Sequence, residues 1–170
     1  MRLVILGAGG FGQCVYEIAS QLKKYDKIIF LDDSPFSKAK GRLELFTELI
    51  DNNTEFITAL GNNSLRLKWT QSFFDTGANI ATLLHPMSYV SPSSRLGKGT
   101  ILLPFSIVNT QSIIGNACII DCGSIVDHGC VVGDGTHIKP GAIIRPENYL
   151  PNAMIIESGQ VIEARTYHNA

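Results

Sequence analysis

Residues 119–138 read IIDCGSIVDHGCVVGDGTHI, and an aliphatic side chain stands at every sixth position: Ile120, Val126, Val132 and Ile138. Outward from this stretch the register holds through Ile114, Val108, Leu102, Leu96 and Val90 on one side. On the other it holds through Ile144, Leu150, Ile156 and Ile162, so all thirteen positions are aliphatic. Four places after most of them comes a small residue: Ser94, Thr100, Ser106, Ser112, Cys118, Ser124, Cys130, Thr136 and Ala142. Glycine marks every third hexad at Gly97, Gly115 and Gly133. Neither a 3.6-residue nor a two-residue period produces a strict six. A repeat of this kind reads as a solenoid. Each hexad supplies a short strand and a turn, and three hexads close a triangular coil. Coils then stack about 4.8 Å apart, as neighbouring strands do. Asn148, Met154 and Gln160 occupy the later small positions, which predicts an irregular C-terminal end.

Composition agrees with ladders rather than rings. The 170 residues are 45% hydrophobic but only 8% aromatic, with 16 glycines, so aliphatic stacking must replace the usual large side chains. A net charge of -1 gives no basic footprint for nucleic acid. No apolar run is long enough for a membrane span, and the start lacks the features of a signal peptide, so the reading is a cytoplasmic protein. Cys14, Cys118, Cys122 and Cys130 include no CxxC pair, which predicts small buried thiols, no metal site and no disulfide framework.

Ahead of the repeat lies an apolar run over 2–6, then Gly7-Ala8-Gly9-Gly10-Phe11-Gly12, then a helical stripe of Val15, Ile18, Ala19 and Leu22. A second run, Ile28 to Leu31, ends in Asp32-Asp33. Strand, glycine turn, helix, strand, acid is the order of a Rossmann-like βαβ unit. Its glycines let backbone N–H groups approach a phosphate at a helix N-terminus. Gly9, Gly10, Phe11, Asp32 and Asp33 are therefore candidate nucleotide contacts. A third strand over 55–60 leads into Gly61-Asn62-Asn63 and a helix through Leu65, Leu67, Trp69 and Phe73. That turn would lie beside the glycine loop, with Asn62 either facing a ligand or capping the helix. A fourth strand is predicted over 80–84, ended by His85-Pro86. The division is thus 1–86 for the α/β unit and 87–170 for the solenoid, and the first part is too short for a complete dinucleotide-binding domain.

The GAGGFG turn, the LDD acid, the ALGNN turn and the LLHP entry into hexads together resemble the sialic acid O-acetyltransferase and nucleotide-amino-sugar N-acetyltransferase family. The resemblance implies a left-handed parallel β-helix, a hand that periodicity cannot supply. It implies a homotrimer, acetyl-CoA as acyl donor without a metal, and a nucleotide-sugar or sialic-acid-type substrate for bacterial surface glycans. It also implies that Gly61, Asn62 and Asn63 join the sugar site. By the same resemblance His128 is the general base beside Asp127, and His137, Gly141 and Ala142 contact acetyl-CoA. Gly129 stands where the family often has an acid after the histidine, and Phe11 stands where it often has a polar residue. These departures leave room for a catalytically impaired sugar-nucleotide-binding protein. An NAD-dependent oxidoreductase would rest on the glycine turn and acid alone.

Overall fold

The structure, a computed structural model, describes residues 1–35 and 38–168. Strands β1 (Arg2–Leu6), β2 (Lys27–Leu31), β3 (Thr54–Thr58) and β4 (Asn79–Ile80) form one parallel sheet in the order β2-β1-β3-β4. Both faces of β1 are covered, as its unbroken apolar run requires. Leu3 and Ile5 face helix α1 (Gly10–Gln21), whose Val15, Ile18 and Ala19 bury against them. Val4 and Leu6 face the opposite layer, where Phe46 and Phe73 pack around Phe56. Helix α2 (Asn63–Thr76) begins at Asn62, whose Oδ1 accepts the Leu65 N–H at 2.9 Å, and ends at Gly77 in a left-handed cap.

The expected fourth strand over 80–84 divides in two. Asn79–Ile80 pairs with β3, whereas Leu83–Leu84 (β5) pairs with Ile101–Leu102 in a different sheet. Ala81 lies at the crossing: its N–H reaches Phe56 O, and its own carbonyl accepts from Gly99 N–H. The chain therefore leaves the first sheet and enters the coils without a linker.

From β5 onward, fourteen two-residue strands fall into three parallel sheets, with partners offset by eighteen residues. The chain folds as the solenoid that the hexads predict, a left-handed parallel β-helix as the resemblance implies. The register aliphatics from Leu102 to Ile162 form its dry interior. Residues at the bends stitch successive coils together. Thr100 Oγ1 donates to Gly115 O, Ser112 Oγ to Asp127 O and Thr136 Oγ1 to Pro151 O, each fifteen residues on in the next coil. At Gly115 a β-carbon would lie 2.4 Å from Asp134 Oδ1 and 2.7 Å from Asp134 N, so the eighteen-residue glycine beat marks direct backbone stacking.

The C-terminal end is regular where an irregular one was expected. Tyr149–Leu150, Ile155–Ile156 and Val161–Ile162 keep the ladder register. Asn148 fits the small-residue slot because its buried amide donates to Arg145 O and Glu163 O and accepts from Tyr167 N–H. The cysteine expectation also divides: Cys118 and Cys130 are buried in that slot, but Cys14 and Cys122 are exposed. Among the described residues no helix is long and apolar enough to cross a membrane.

The α/β unit sits on the first face of the prism, the one built on Leu83, Ile101 and Ile119. Helix α2 meets the coils through Leu67, whose side chain lies directly over Gly135, and through a polar face beside it, while Leu65 stays exposed. Arg66 is fully buried and donates to Leu60 O, Gly61 O and Asn63 Oδ1 on its own side, and to Ala117 O and Gly135 O in the coils.

Candidate active site

His128 and His137 lie apart within one chain. His137 begins the strand His137–Ile138 on the first face, stacked on Ile119. His128 falls between Ile125–Val126 and Val131–Val132, which belong to the other two faces. In a triangular coil that vertex is opposite the first face. His128 is exposed there. Asp127 does not reach the ring side of His128 through the contacts it makes: its Oδ1 accepts the His128 backbone N–H at 2.7 Å and Asn109 Nδ2 at 3.2 Å.

His137 has the carboxylate partner that His128 lacks. Its Nε2 lies 3.1 Å from Asp121 Oδ2, with both side chains about 15% exposed. Burial works to raise the Asp121 carboxyl, but hydrogen bonds from His137 and from Cys122 N–H together hold it below its ordinary value. Gly141 and Ala142 use their N–H groups internally, toward Cys122 O and Lys139 O, and Ala142 is buried. Neither N–H is free to stabilise an oxyanion.

At the sheet's C-terminal edge the glycine turn has two kinds of glycine. Gly7 adopts φ +110°, and a β-carbon on Gly12 would lie 2.1 Å from Gly7 O, so these two shape the turn. Gly9 and Gly10 are exposed with open space beyond them, and no side chain caps the α1 N-terminus at Gly9. Phe11 is half-buried and packs on the core beneath α1. Asp32 spends both oxygens on backbone, accepting Ala8 N–H at 2.6 Å and Ser34 N–H at 2.7 Å. Asp33 accepts Leu43 N–H at 3.0 Å, with Arg42 Nε at 3.6 Å. Asp32 and Asp33 line a cleft of about 510 Å³ with Ser34, Pro35, Ala39, Gly41 and Arg42.

The second turn contributes differently from expectation. Gly61 is exposed. Asn62 is the helix cap, and Asn63 is buried with its amide donating to Ala153 O and Met154 O. Asn63 thus ties α2 to the coils instead of facing the cleft. Arg66 was not anticipated from sequence, and only its position three residues after Asn63 could have suggested the pairing. Of the remaining histidines, His85 is buried with Nδ1 accepting Met87 N–H, and His168 is exposed.

Two segments of the chain match known family models. Residues 2–73 match the PglD N-terminal domain, and residues 111–146 match the bacterial transferase hexapeptide repeats. The two matches fall on the α/β unit and on the coils, the same pairing of parts that is combined in the family resembled by the motifs. GDP-perosamine N-acetyltransferase of Escherichia coli O157:H7 is 27% identical over 138 residues, covering 75% of this chain and 62% of that protein. The chain thus spans less than two thirds of the length of the curated relatives it matches. The acetyltransferase domain of PglB from Neisseria gonorrhoeae FA1090, in complex with acetyl coenzyme A, superposes with a TM-score of 0.79 at 27% identity, over 96% of this chain and 85% of that one. PerB from Caulobacter crescentus, in complex with CoA and GDP-perosamine, gives 0.74 at 26% identity, over 96% and 84%.

Proposed function

We propose that this chain is an acetyl-CoA-dependent acetyltransferase acting on an amine or hydroxyl of a nucleotide-linked sugar. The observation that carries the reading is the exposed His128 at a coil vertex, on a chain whose opposite face holds a glycine turn and acidic cleft. The sugar nucleophile attacks the thioester carbonyl while His128 takes its proton. The C–S bond then breaks, and the CoA sulfur leaves and is protonated.

Because His128 and the cleft lie on opposite sides of one prism, the reading requires the cleft of one copy and His128 of the next. A homotrimer supplies that arrangement. Exposed Tyr89, Ile113, Tyr149 and Val161 point outward from the second and third faces, where neighbouring prisms would pack. Gly9, Gly10, Asp32, Asp33 and Gly61 line the proposed sugar-nucleotide side, with Phe11 forming its floor and Asn62 and Asn63 supporting it from behind. His137 and Gly141 stay in the proposed acetyl-CoA groove, Ala142 packs in the interior behind them, and the oxyanion donor is a different group. Cytoplasm is the compartment this chemistry fits.

The test is mass spectrometry of GDP- and UDP-amino-sugar panels incubated with acetyl-CoA. The expected result is one sugar nucleotide gaining an acetyl group, with His128→Ala losing about 10²–10⁴ in kcat. Unchanged turnover in that variant would remove His128 from the role, and sugar-nucleotide binding without transfer would favour a binding protein.

A further inference from the structure

At the vertex beside His128, four left-handed bend residues stack one coil apart: Gln111, Gly129, Glu147 and Arg165. A base imidazole needs an acceptor on one ring N–H, so that the other nitrogen faces the reacting proton. Asp127 is already engaged with backbone and Asn109. Gly129, with φ +67°, follows the histidine and has no side chain to offer.

The next coil fills that space. Glu147 N–H donates to His128 O at 3.1 Å, which stacks the two bends directly. A β-carbon built on Gly129 would meet only Glu147 Cγ, at 3.4 Å. The Glu147 side chain therefore runs alongside the coil of His128, where a side chain at 129 would otherwise lie. Its Oε2 accepts Arg165 Nε at 2.6 Å, while Oε1 makes no hydrogen bond among the described residues. The Arg165 pair, and secondarily the nearby His128, hold the Glu147 carboxyl below its usual range.

We propose that Glu147 is the positioning residue for His128, its free Oε1 accepting one ring N–H so that the other ring nitrogen faces outward. The proposal rests on the reading of His128 as the base. It assigns to a neighbouring coil the acid that the sequence lacks at Gly129. Arg165 anchors the carboxylate from the far side, and Asp127 and Cys130 are the other titratable groups at this bend.

The test uses the intact, ¹⁵N-labelled protein, with the His128 signals assigned by their loss in His128→Gln. At alkaline pH the neutral ring should be held as one dominant tautomer. Glu147→Ala, whose backbone geometry Ala117 and Ala153 already adopt at equivalent bends, should mix the two tautomers. Acetyl transfer by that variant should fall about 10- to 100-fold in kcat, within the range general-base catalysis supplies, with KM for the sugar nucleotide unchanged. Arg165→Gln removes the ion pair but keeps the carboxylate, so it should preserve both signatures. Identical tautomer populations in the wild type and Glu147→Ala overturn the proposal, as does an equal loss in Arg165→Gln. If the tautomer shifts but the wild type transfers no acetyl group to any sugar nucleotide, the positioning stands and the enzymatic reading falls.

Discussion

Replacing Arg66 by methionine should destabilise the protein by about 2–5 kcal/mol. The guanidinium is buried and makes five hydrogen bonds, four to backbone carbonyls and one to Asn63, with no carboxylate among its partners. Burying this charge has a cost, visible in a guanidinium pKa pushed down to about 10, which corresponds to about 3 kcal/mol. Methionine relieves that cost while keeping most of the length. Against it stand the acceptors, each worth about 1–3 kcal/mol if left dry. Even with water reaching some of them, the acceptors outweigh the relief, as when one partner of a buried network is removed. At about 2–4 °C per kcal/mol for a chain of this size, Tm should fall by about 4–20 °C. Trp69 is the single tryptophan and packs edge-on to Phe46 at 6.0 Å, so its fluorescence follows α2 in a urea titration. Wild-type stability in Arg66→Met, within about 1 kcal/mol, would refute the claim that this side chain joins the two halves.

Gly115→Ala forces a β-carbon into the backbone of Asp134, and neighbouring coils cannot separate locally without breaking the ladder on either side. It should cost at least about 1–3 kcal/mol and lower the thermal midpoint measured by circular dichroism; an unchanged midpoint would contradict the stacked geometry. In a native titration with a bulky thiol reagent, Cys14 and Cys122 should react, whereas Cys118 and Cys130 should wait for denaturant. Burial reinforces this by pushing the Cys118 thiol up to about 12. Four fast thiols, or none, would count against the assigned bends.

The solenoid was legible because its interior admits one kind of side chain at one spacing, and every register aliphatic from Leu102 to Ile162 is buried as the spacing required. A second register was equally open to reading. Gly99, Gly123, Gly129, Gly135, Gly141 and Gly159 all fall on one six-residue phase, the left-handed bend. Seen that way, Gly129 is a turn-forming residue, and the missing acid must be sought in another coil. What could not be read is whatever depends on two distant segments meeting. An asparagine in a small-residue slot looks like decay until Glu163 supplies a carbonyl for it. An arginine on a helix reads as solvent-facing, because arginine is seldom fully buried, until Ala117 and Gly135 present bare carbonyls one coil apart. The same holds for the two histidines. Nine residues of separation look close along the chain, but in an eighteen-residue coil they amount to half a circuit and put His128 and His137 on opposite sides of the prism. Any chemistry that uses both must therefore be assembled between copies.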